Sequence, residues 1–334
     1  MHPAINPIFI VGAGRSGTTL LRLILNNHPH IAIPTESQVL INYYKFLPIF
    51  GHLKTQHQLK QFAQFFMEHP RIQAWNLDSK EILSSINNQN FSELIDLIYN
   101  NYAHQHHKIR WGEKTPAYIT QVPLLNQLFP NSFFIHIIRD GRDVVSSQIR
   151  SFARKHFYTS TIYWKKIIQL DIEYKKQFSN YLSLYFEDLV QNPEKILQII
   201  CDFIQEPYDS RMLNYYESDA AQNISIQKQH HINTKKNILK NPIGVYKNRL
   251  TPIQIQLIET LCHNELKMHH YTLDHNEKIS LSKYRIWTYK ISAFYKRYID
   301  YRIKIALKRM VSKHALFFLK YTYYRICCFF LKKP

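Results

Sequence analysis

Residues 7–27 read PIFIVGAGRSGTTLLRLILNN, and this stretch decides the fold. Pro7 to Val11 is a short apolar run that meets Gly12, and Thr18 to Asn27 carries an apolar stripe at helical spacing, so the stretch is a strand, a tight loop and a helix. The chain has only seven glycines in 334 residues, yet Gly12, Gly14 and Gly17 fall within six consecutive positions. Glycine that scarce is placed where backbone geometry demands it, here where a chain leaving a strand must turn into a helix N-terminus. Bare backbone N–H groups at such a turn cradle a phosphate, and Arg15, Ser16, Thr18 and Thr19 add a cation and hydroxyls.

The layout repeats outward from this unit. Phe133 to Ile138 (FFIHII) is a second strand that runs into Arg139 and a helix over about 142–154. Leu182 to Phe186 is a third, followed by a helix opening at Pro193, and Ile31 to Ile33 is a short strand after the first helix. Gln38 to Phe50, Leu59 to Glu68, Lys80 to Ile86 and Phe91 to Ala103 read as mostly helical. Strands alternating with helices imply an α/β fold, a P-loop-like parallel β-sheet flanked by helices. Residues 218–241 are polar and read as one long loop, and Thr251-Pro252 opens a helix to about Met268. The chain divides into a domain over residues 1–278 and a C-terminal basic, aromatic helical tail over residues 279–334.

Forty-three Lys and Arg against 24 Asp and Glu give a net charge of +19, which favours anionic partners. The excess is segregated: residues 283–334 hold fourteen Lys/Arg and one acid, Asp300. Trp287, Ile291, Phe294, Tyr298, Tyr301 and Ile305 keep a 3,4 spacing while Lys290, Lys296, Arg297, Arg302, Lys304 and Lys308 fill the other faces, the pattern of an amphipathic basic helix. Three partners for the tail stay open: an anionic membrane surface, the chain's own domain, or the second subunit of a homodimer. On the membrane reading a chain ending near Glu277 stays soluble and keeps its ligand site. No nucleic-acid partner is expected, because no nucleic-acid motif is present. Residues 315–331 are interrupted by Lys320 and Arg325, so no membrane-spanning helix is expected either. Four poorly spaced cysteines and an N-terminus without a signal-peptide pattern fit a reducing, cytoplasmic setting, peripheral to the membrane at most. The clusters at His104, His106 and His107, at His230 and His231, and at His269 and His270 lack an arranged acid or cysteine, and no metal is expected.

The loop frame is nearly that of nucleoside-triphosphate enzymes, but Thr18 stands where their lysine neutralises the β and γ phosphates. Its loss argues against γ-phosphoryl transfer and for a donor with a single 5′-phosphate, the cation having moved into the loop as Arg15.

Residues Ile10 to Leu21 (IVGAGRSGTTLL) resemble the 5′-phosphosulfate loop of sulfotransferases that use 3′-phosphoadenylyl sulfate (PAPS), in particular the bacterial and tyrosylprotein branches. Further segments follow in family order. Phe134 to Ser147 (FIHIIRDGRDVVSS) resembles the 3′-phosphate segment, Trp111 to Pro116 (WGEKTP) the WGDKTP segment, and Leu184 to Val190 (LYFEDLV) the VRYEDLV strand with Phe186 where tyrosine is usual. Gly244 to Thr251 (GVYKNRLT) resembles the closing GxWK segment, Tyr246 replacing tryptophan. Roughly residues 5–271 are covered. The resemblance implies a PAPS-dependent sulfotransferase that releases adenosine 3′,5′-bisphosphate and needs no metal.

PAPS carries anions at both ends of its ribose and needs two anion sites. The loop, with Gly14, Arg15, Ser16, Gly17, Thr18 and Thr19, would take the 5′ side; Arg139 at a strand end and Ser147 two helical turns on would take the 3′-phosphate. Phe186, Tyr246 and Lys247 join the donor site by resemblance. An acceptor hydroxyl attacks sulfur better when a base takes its proton. Glu36, placed to return to the sheet's C-terminal edge, is the candidate. By resemblance it matches the second Glu of the tyrosylprotein enzymes' GEETR segment. On the residues alone, an N-terminal acid of a helix over 37–47 is an equal reading, and His28 and His30 are alternative bases. Lys114 and Arg15 would stabilise charge growing on the bridging and sulfuryl oxygens. The acceptor stays open among tyrosyl, carbohydrate and lipid hydroxyls, because Gln38 stands where the tyrosylprotein enzymes carry a substrate-contacting arginine. The competing readings are a nucleotide or small-molecule kinase and a non-enzymatic basic peripheral membrane protein.

Overall fold

The computed structural model describes residues 6–87, 90–151, 156–218, 220–222, 243–275, 277–295 and 315–331. Among them five strands form one parallel sheet: β1 (Ile8–Gly12), β2 (Ile31–Ala32), β3 (Arg110–Lys114), β4 (Phe133–Ile138) and β5 (Tyr181–Tyr185), in the order β2-β3-β1-β4-β5. The principal helices are α1 (Thr18–Asn26), α2 (Leu40–Tyr44), α3 (Gln56–Met67), α4 (Phe91–Gln105), α5 (Gly141–Ser151), α6 (Phe157–Gln177), α7 (Pro193–Ile204), α8 (Pro252–Leu261), α9 (Lys283–Phe294) and α10 (Ala315–Leu331).

Strand β1 explains the layering. Successive side chains point to opposite faces, and both faces of this central strand are covered. Ile8 and Ile10 pack with α1 and α7 residues such as Leu21, Ile24 and Leu197, while Phe9 and Val11 join Trp111, Phe134 and residues of α4 and α6. Each such fully buried side chain contributes roughly 1.5–3 kcal/mol.

Strand β3 was not legible from hydropathy. Its sequence RWGEK looks polar, yet all five residues are buried because each charge has a specific partner. Arg110 donates to the carbonyls of Asn6 and Ile204 and to Glu206, and Glu113 accepts from Tyr99 and Thr115. No element was expected over α6 either, although it is 21 residues long. The expected helix over 38–50 is short α2 followed by an irregular 3₁₀ stretch (Leu47–Leu53), broken where Pro48 enters and Gly51 turns left-handed at φ 59°. Helix α3 starts at Gln56, ahead of the expected Leu59, because Thr55 and Gln58 form a capping box. The helix expected over 252–268 divides at Cys262 into α8 and a short helix His263–Met268. Most of the expected 218–241 loop lies outside the described residues.

The tail's last helix packs on its own domain. In α10, Tyr324 meets Phe65 edge-on with ring centroids 4.7 Å apart and also touches Phe46 and Phe50. Tyr321 contacts Tyr43 and Phe46, Lys320 pairs with Glu68 at 2.7 Å, and the Cys328 thiol donates to the Lys45 carbonyl. A chain ending near Glu277 would lack α10 and leave this aromatic cluster uncovered. Among the described residues no helix is long and apolar enough to cross a membrane. Tyr298, Tyr301, Ile305 and the basic residues from Lys296 to Lys308 lie outside the described residues.

Candidate active site

The site is built where β1, β3 and β4 end, above their carboxyl termini, the usual ligand edge of an open α/β sheet. The loop after β1 turns through Gly12 (φ 144°) and Gly17 (φ 103°). Gly17 admits no side chain, since a Cβ there would lie 2.4 Å from Phe186 Cδ2. A Cβ on Gly14 would meet no protein atom within 4 Å, so that side of the loop is open. The Ser16 hydroxyl donates to the Ala13 carbonyl, and the Gln148 amide donates to the Gly14 carbonyl, fixing the loop to α5. Among the described residues no side chain caps the N-terminus of α1 and its first turn holds no acid, which leaves buried Thr18, half-buried Thr19 and the positive helix end available to an anion.

Three arginines converge beside this loop. Arg15, left-handed at φ 80°, donates from Nε to the Ser147 hydroxyl at 3.0 Å. Arg139 lies over the Phe186 ring at 4.3 Å, and its Nη2 donates to Asp143 at 3.2 Å. Burial, then the nearby Arg139 and Arg249 charges, push the Arg15 guanidinium down to about 10. Asp143 is buried and also accepts from the backbone N–H groups of Gly244 at 2.9 Å and Tyr246 at 2.8 Å. It thereby draws the segment carrying Arg249 onto α5. Arg249 was missed, although it sits in the quoted segment GVYKNRLT, three residues after Tyr246.

The remaining residues expected around the donor do not all gather there. Phe186 is a buried shelf between Gly17 and Arg139. Tyr246 is also buried, stacked under Arg142 at 4.4 Å with its hydroxyl donating to Asp274, and exposed Lys247 pairs with the same carboxylate at 3.2 Å. Arg142 is itself held by Asp140 and Glu259, so the Tyr246 ring rests on a fixed charge network.

On the other flank, Lys114 ends β3 directly beside β1, in register with Ile10. Its Nζ donates to Glu36 Oε2 at 2.6 Å. The segment that presents Glu36 is clamped at both ends: Asn26 accepts from the Ile33 N–H, Arg22 donates to the Ile33 carbonyl, and Arg71 donates to the Ser37 carbonyl. Gln38 stands left-handed at φ 57° and its amide donates to Glu36 Oε1. Strain at a non-glycine residue of this kind concentrates at functional sites. Helix α2 begins only at Leu40, so Glu36 is not the first-turn acid of a helix over 37–47.

Burial alone would raise the Glu36 carboxyl, but Lys114, Gln38 and Arg71 outweigh it and hold the group below its ordinary value. For fully enclosed Lys114 the balance reverses: burial lowers its ammonium more than Glu36 supports it. Beneath the pair, burial raises the Glu113 carboxyl, although the Thr115 and Tyr99 hydroxyls bond it at 2.6 and 2.7 Å. Arg22, wholly enclosed with Nη2 lacking a hydrogen-bond partner among the described residues, lies close enough to feel both Glu113 and Glu36. Sequence reasoning missed both Glu113 and Arg22.

His28 and His30 precede β2 and so stand at the opposite, amino edge of the parallel sheet. Both His28 ring nitrogens are engaged, Nδ1 by the His30 N–H and Nε2 by the Pro207 carbonyl, and His30 pairs with Glu206 at 2.8 Å. Neither is placed to serve as the base beside Lys114. His28, His30 and Glu206 bring ligand atoms within 4.8 Å of one another, but a metal there would have to break one of His28's two backbone bonds.

Residues 7–210 match the model described as the sulfotransferase family. The chain is 28% identical over 217 residues to protein-tyrosine sulfotransferase A of Caenorhabditis elegans, an alignment covering 62% of this chain and 52% of that one. It thus spans about half the length of that curated relative. Among solved structures it is similar to the sulfotransferase domain of the Synechococcus PCC 7002 olefin synthase, with a TM-score of 0.58 at 22% identity over 82% of this chain and 98% of that one. The sulfotransferase domain from the curacin biosynthetic pathway matches with a TM-score of 0.56 at 21% identity over 80% and 99%.

Proposed function

The chain belongs to the sulfotransferase family, and from that membership we propose that it moves the sulfuryl group of PAPS onto an acceptor hydroxyl. One observation carries the donor assignment: beside the uncapped N-terminus of α1, Arg15 bonds the Ser147 hydroxyl of α5 and lies close enough to Arg139 and Arg249 to feel both charges, which supplies a second group of anion ligands. Two anion sites suit a nucleotide with a 5′-phosphosulfate and a 3′-phosphate. A triphosphate would instead require the lysine that Thr18 replaces.

In this reading the loop N–H groups hold the 5′-phosphosulfate, and Arg139, Ser147 and Arg249 hold the 3′-phosphate. Glu36 takes the acceptor proton as the acceptor oxygen attacks sulfur. The bond from sulfur to the bridging oxygen breaks in line, its electron pair passes to the 5′-phosphate, and adenosine 3′,5′-bisphosphate leaves. Lys114 and Arg15 stabilise the charge that grows on the bridging and sulfuryl oxygens. A carboxylate has about four lone-pair sites, so Glu36 can bond Lys114 and still accept an acceptor proton. The acceptor is a tyrosyl, carbohydrate or lipid hydroxyl; the names of the curated relatives support the first, and Gln38 in the place of a substrate-contacting arginine leaves the others standing. The chemistry belongs to residues 1–278, with 279–334 as an appended tail.

Thermal shift with adenosine 3′,5′-bisphosphate against ATP with magnesium tests the donor. A ligand at 100 times its Kd stabilises by about 2.7 kcal/mol, and only the bisphosphate should do so. Stabilisation by ATP with magnesium alone would assign the site to phosphoryl chemistry.

A further inference from the structure

Helix α9 has two unlike faces. One is seated on α6, where Tyr289 stacks on Tyr158 with centroids 5.7 Å apart, meets Phe157 edge-on at 5.1 Å, and Ala293 is buried. Tyr284, Trp287 and Ile291 follow a 3,4 spacing on roughly the opposite side, and they are 71%, 58% and 47% exposed. Lys283 and Lys290, seven residues apart, line one edge of this row and are exposed as well.

A row of exposed aromatic and aliphatic side chains edged by lysines suits a lipid interface, where Trp and Tyr bury their rings at headgroup depth and lysines keep their ammonium groups among the headgroups. Charge selects the kind of lipid. Residues 283–334 carry fourteen Lys/Arg and one acid, against 29 and 23 in all that precedes them. Self-pairing of this face in a two-fold dimer would bring two such basic tails together, which like-charge repulsion opposes. Helix α10 cannot share the role through Tyr321, Tyr324 and Cys328, because these side chains already pack on the domain.

We propose that the outward face of α9, with Tyr284, Trp287 and Ile291 beside Lys283 and Lys290, docks the protein on an anionic lipid surface. The docking is independent of the transfer chemistry and brings the enzyme to acceptors held at that surface.

Co-sedimentation of the full chain with phosphatidylcholine vesicles, with and without phosphatidylglycerol, tests it. Binding should require phosphatidylglycerol and weaken as salt rises. Combining Trp287→Ser with Ile291→Ser should weaken it about tenfold or more, while melting temperature and affinity for adenosine 3′,5′-bisphosphate stay unchanged. Lys283→Glu with Lys290→Glu should weaken it without touching the apolar row, a second readout should the first variant melt early. Three results overturn the proposal: no binding of the unaltered chain to phosphatidylglycerol vesicles, equal binding to phosphatidylcholine alone, or undiminished binding by both variants. Loss of a dimer in the serine variant with lipid binding intact would reassign the face to a second copy of the chain.

Discussion

Lys114 Nζ and Glu36 Oε2 stand 2.6 Å apart at the carboxyl edge of the sheet, one at the end of β3 and the other in a loop pinned by Arg22, Asn26 and Arg71. The pair holds an ionised carboxylate beside a desolvated cation, next to the phosphate loop. On the proposed function, an acceptor oxygen that must lose a proton and a leaving oxygen that must gain charge would find their two partners already assembled.

Glu36→Gln keeps the volume and the bond from Lys114 but removes basicity. Turnover should fall by about 10²-fold or more, the usual scale of a general base, with donor affinity nearly unchanged. Steady-state kinetics beside a nucleotide titration separates the two, and retained turnover would take the base role away from Glu36.

The pH profile gives an independent check. A Glu36 base would act ionised, and its carboxyl is held below the ordinary 4.5, so the acid limb of kcat/KM should lie below that value. An acid limb above the ordinary carboxylate range would take the role away from Glu36. On the alkaline side Lys114 must stay charged, and burial sets its limb below 10.5. Because Glu36 supports the Lys114 charge, any residual activity of Glu36→Gln should lose its alkaline limb at lower pH than the unaltered protein. The sign for stability follows: the Glu36 contribution is present above 4.5 and is lost as pH falls through the depressed folded value.

Arg139→Ala, Ser147→Ala and Arg249→Ala should each weaken binding of adenosine 3′,5′-bisphosphate far more than binding of adenosine 5′-monophosphate. Charge-assisted hydrogen bonds are worth roughly 1.5–3 kcal/mol, or about ten- to a hundredfold in affinity. Calorimetry with both nucleotides decides the matter, since a general folding defect would weaken them equally.

The tail makes a structural prediction. Tyr324→Ala removes a ring from the cluster of Phe46, Phe50 and Phe65 and should destabilise the domain by roughly 1–3 kcal/mol. Denaturant unfolding would read this as a lower midpoint. An unchanged midpoint would mean that α10 adds nothing to the core.

The parts of this protein that were legible in its sequence are those where one physical demand acts alone. Apolar PIFIV and FFIHII could only be buried strands, and scarce glycine marked the loop. Strand β3 was hidden because its charges are paired inside the protein, which hydropathy cannot register. Arg249 was hidden for a related reason: Asp143 brings it to the site from more than a hundred positions along the chain, through backbone bonds to Gly244 and Tyr246. Glu36 could be placed at the sheet edge by counting elements, but its ion pair with Lys114 needed the register of β1 and β3.

The most direct measurement follows the sulfuryl group itself. Purified full-length protein is given PAPS labelled in that group together with tyrosyl-peptide, carbohydrate and lipid acceptors, and both labelled product and released adenosine 3′,5′-bisphosphate are counted. The account predicts equal amounts of the two with at least one hydroxyl acceptor and no added metal, and a loss of about 10²-fold or more in rate with Glu36→Gln. Tight binding of PAPS with no transfer to any of the three classes, or transfer undiminished in Glu36→Gln, would contradict it.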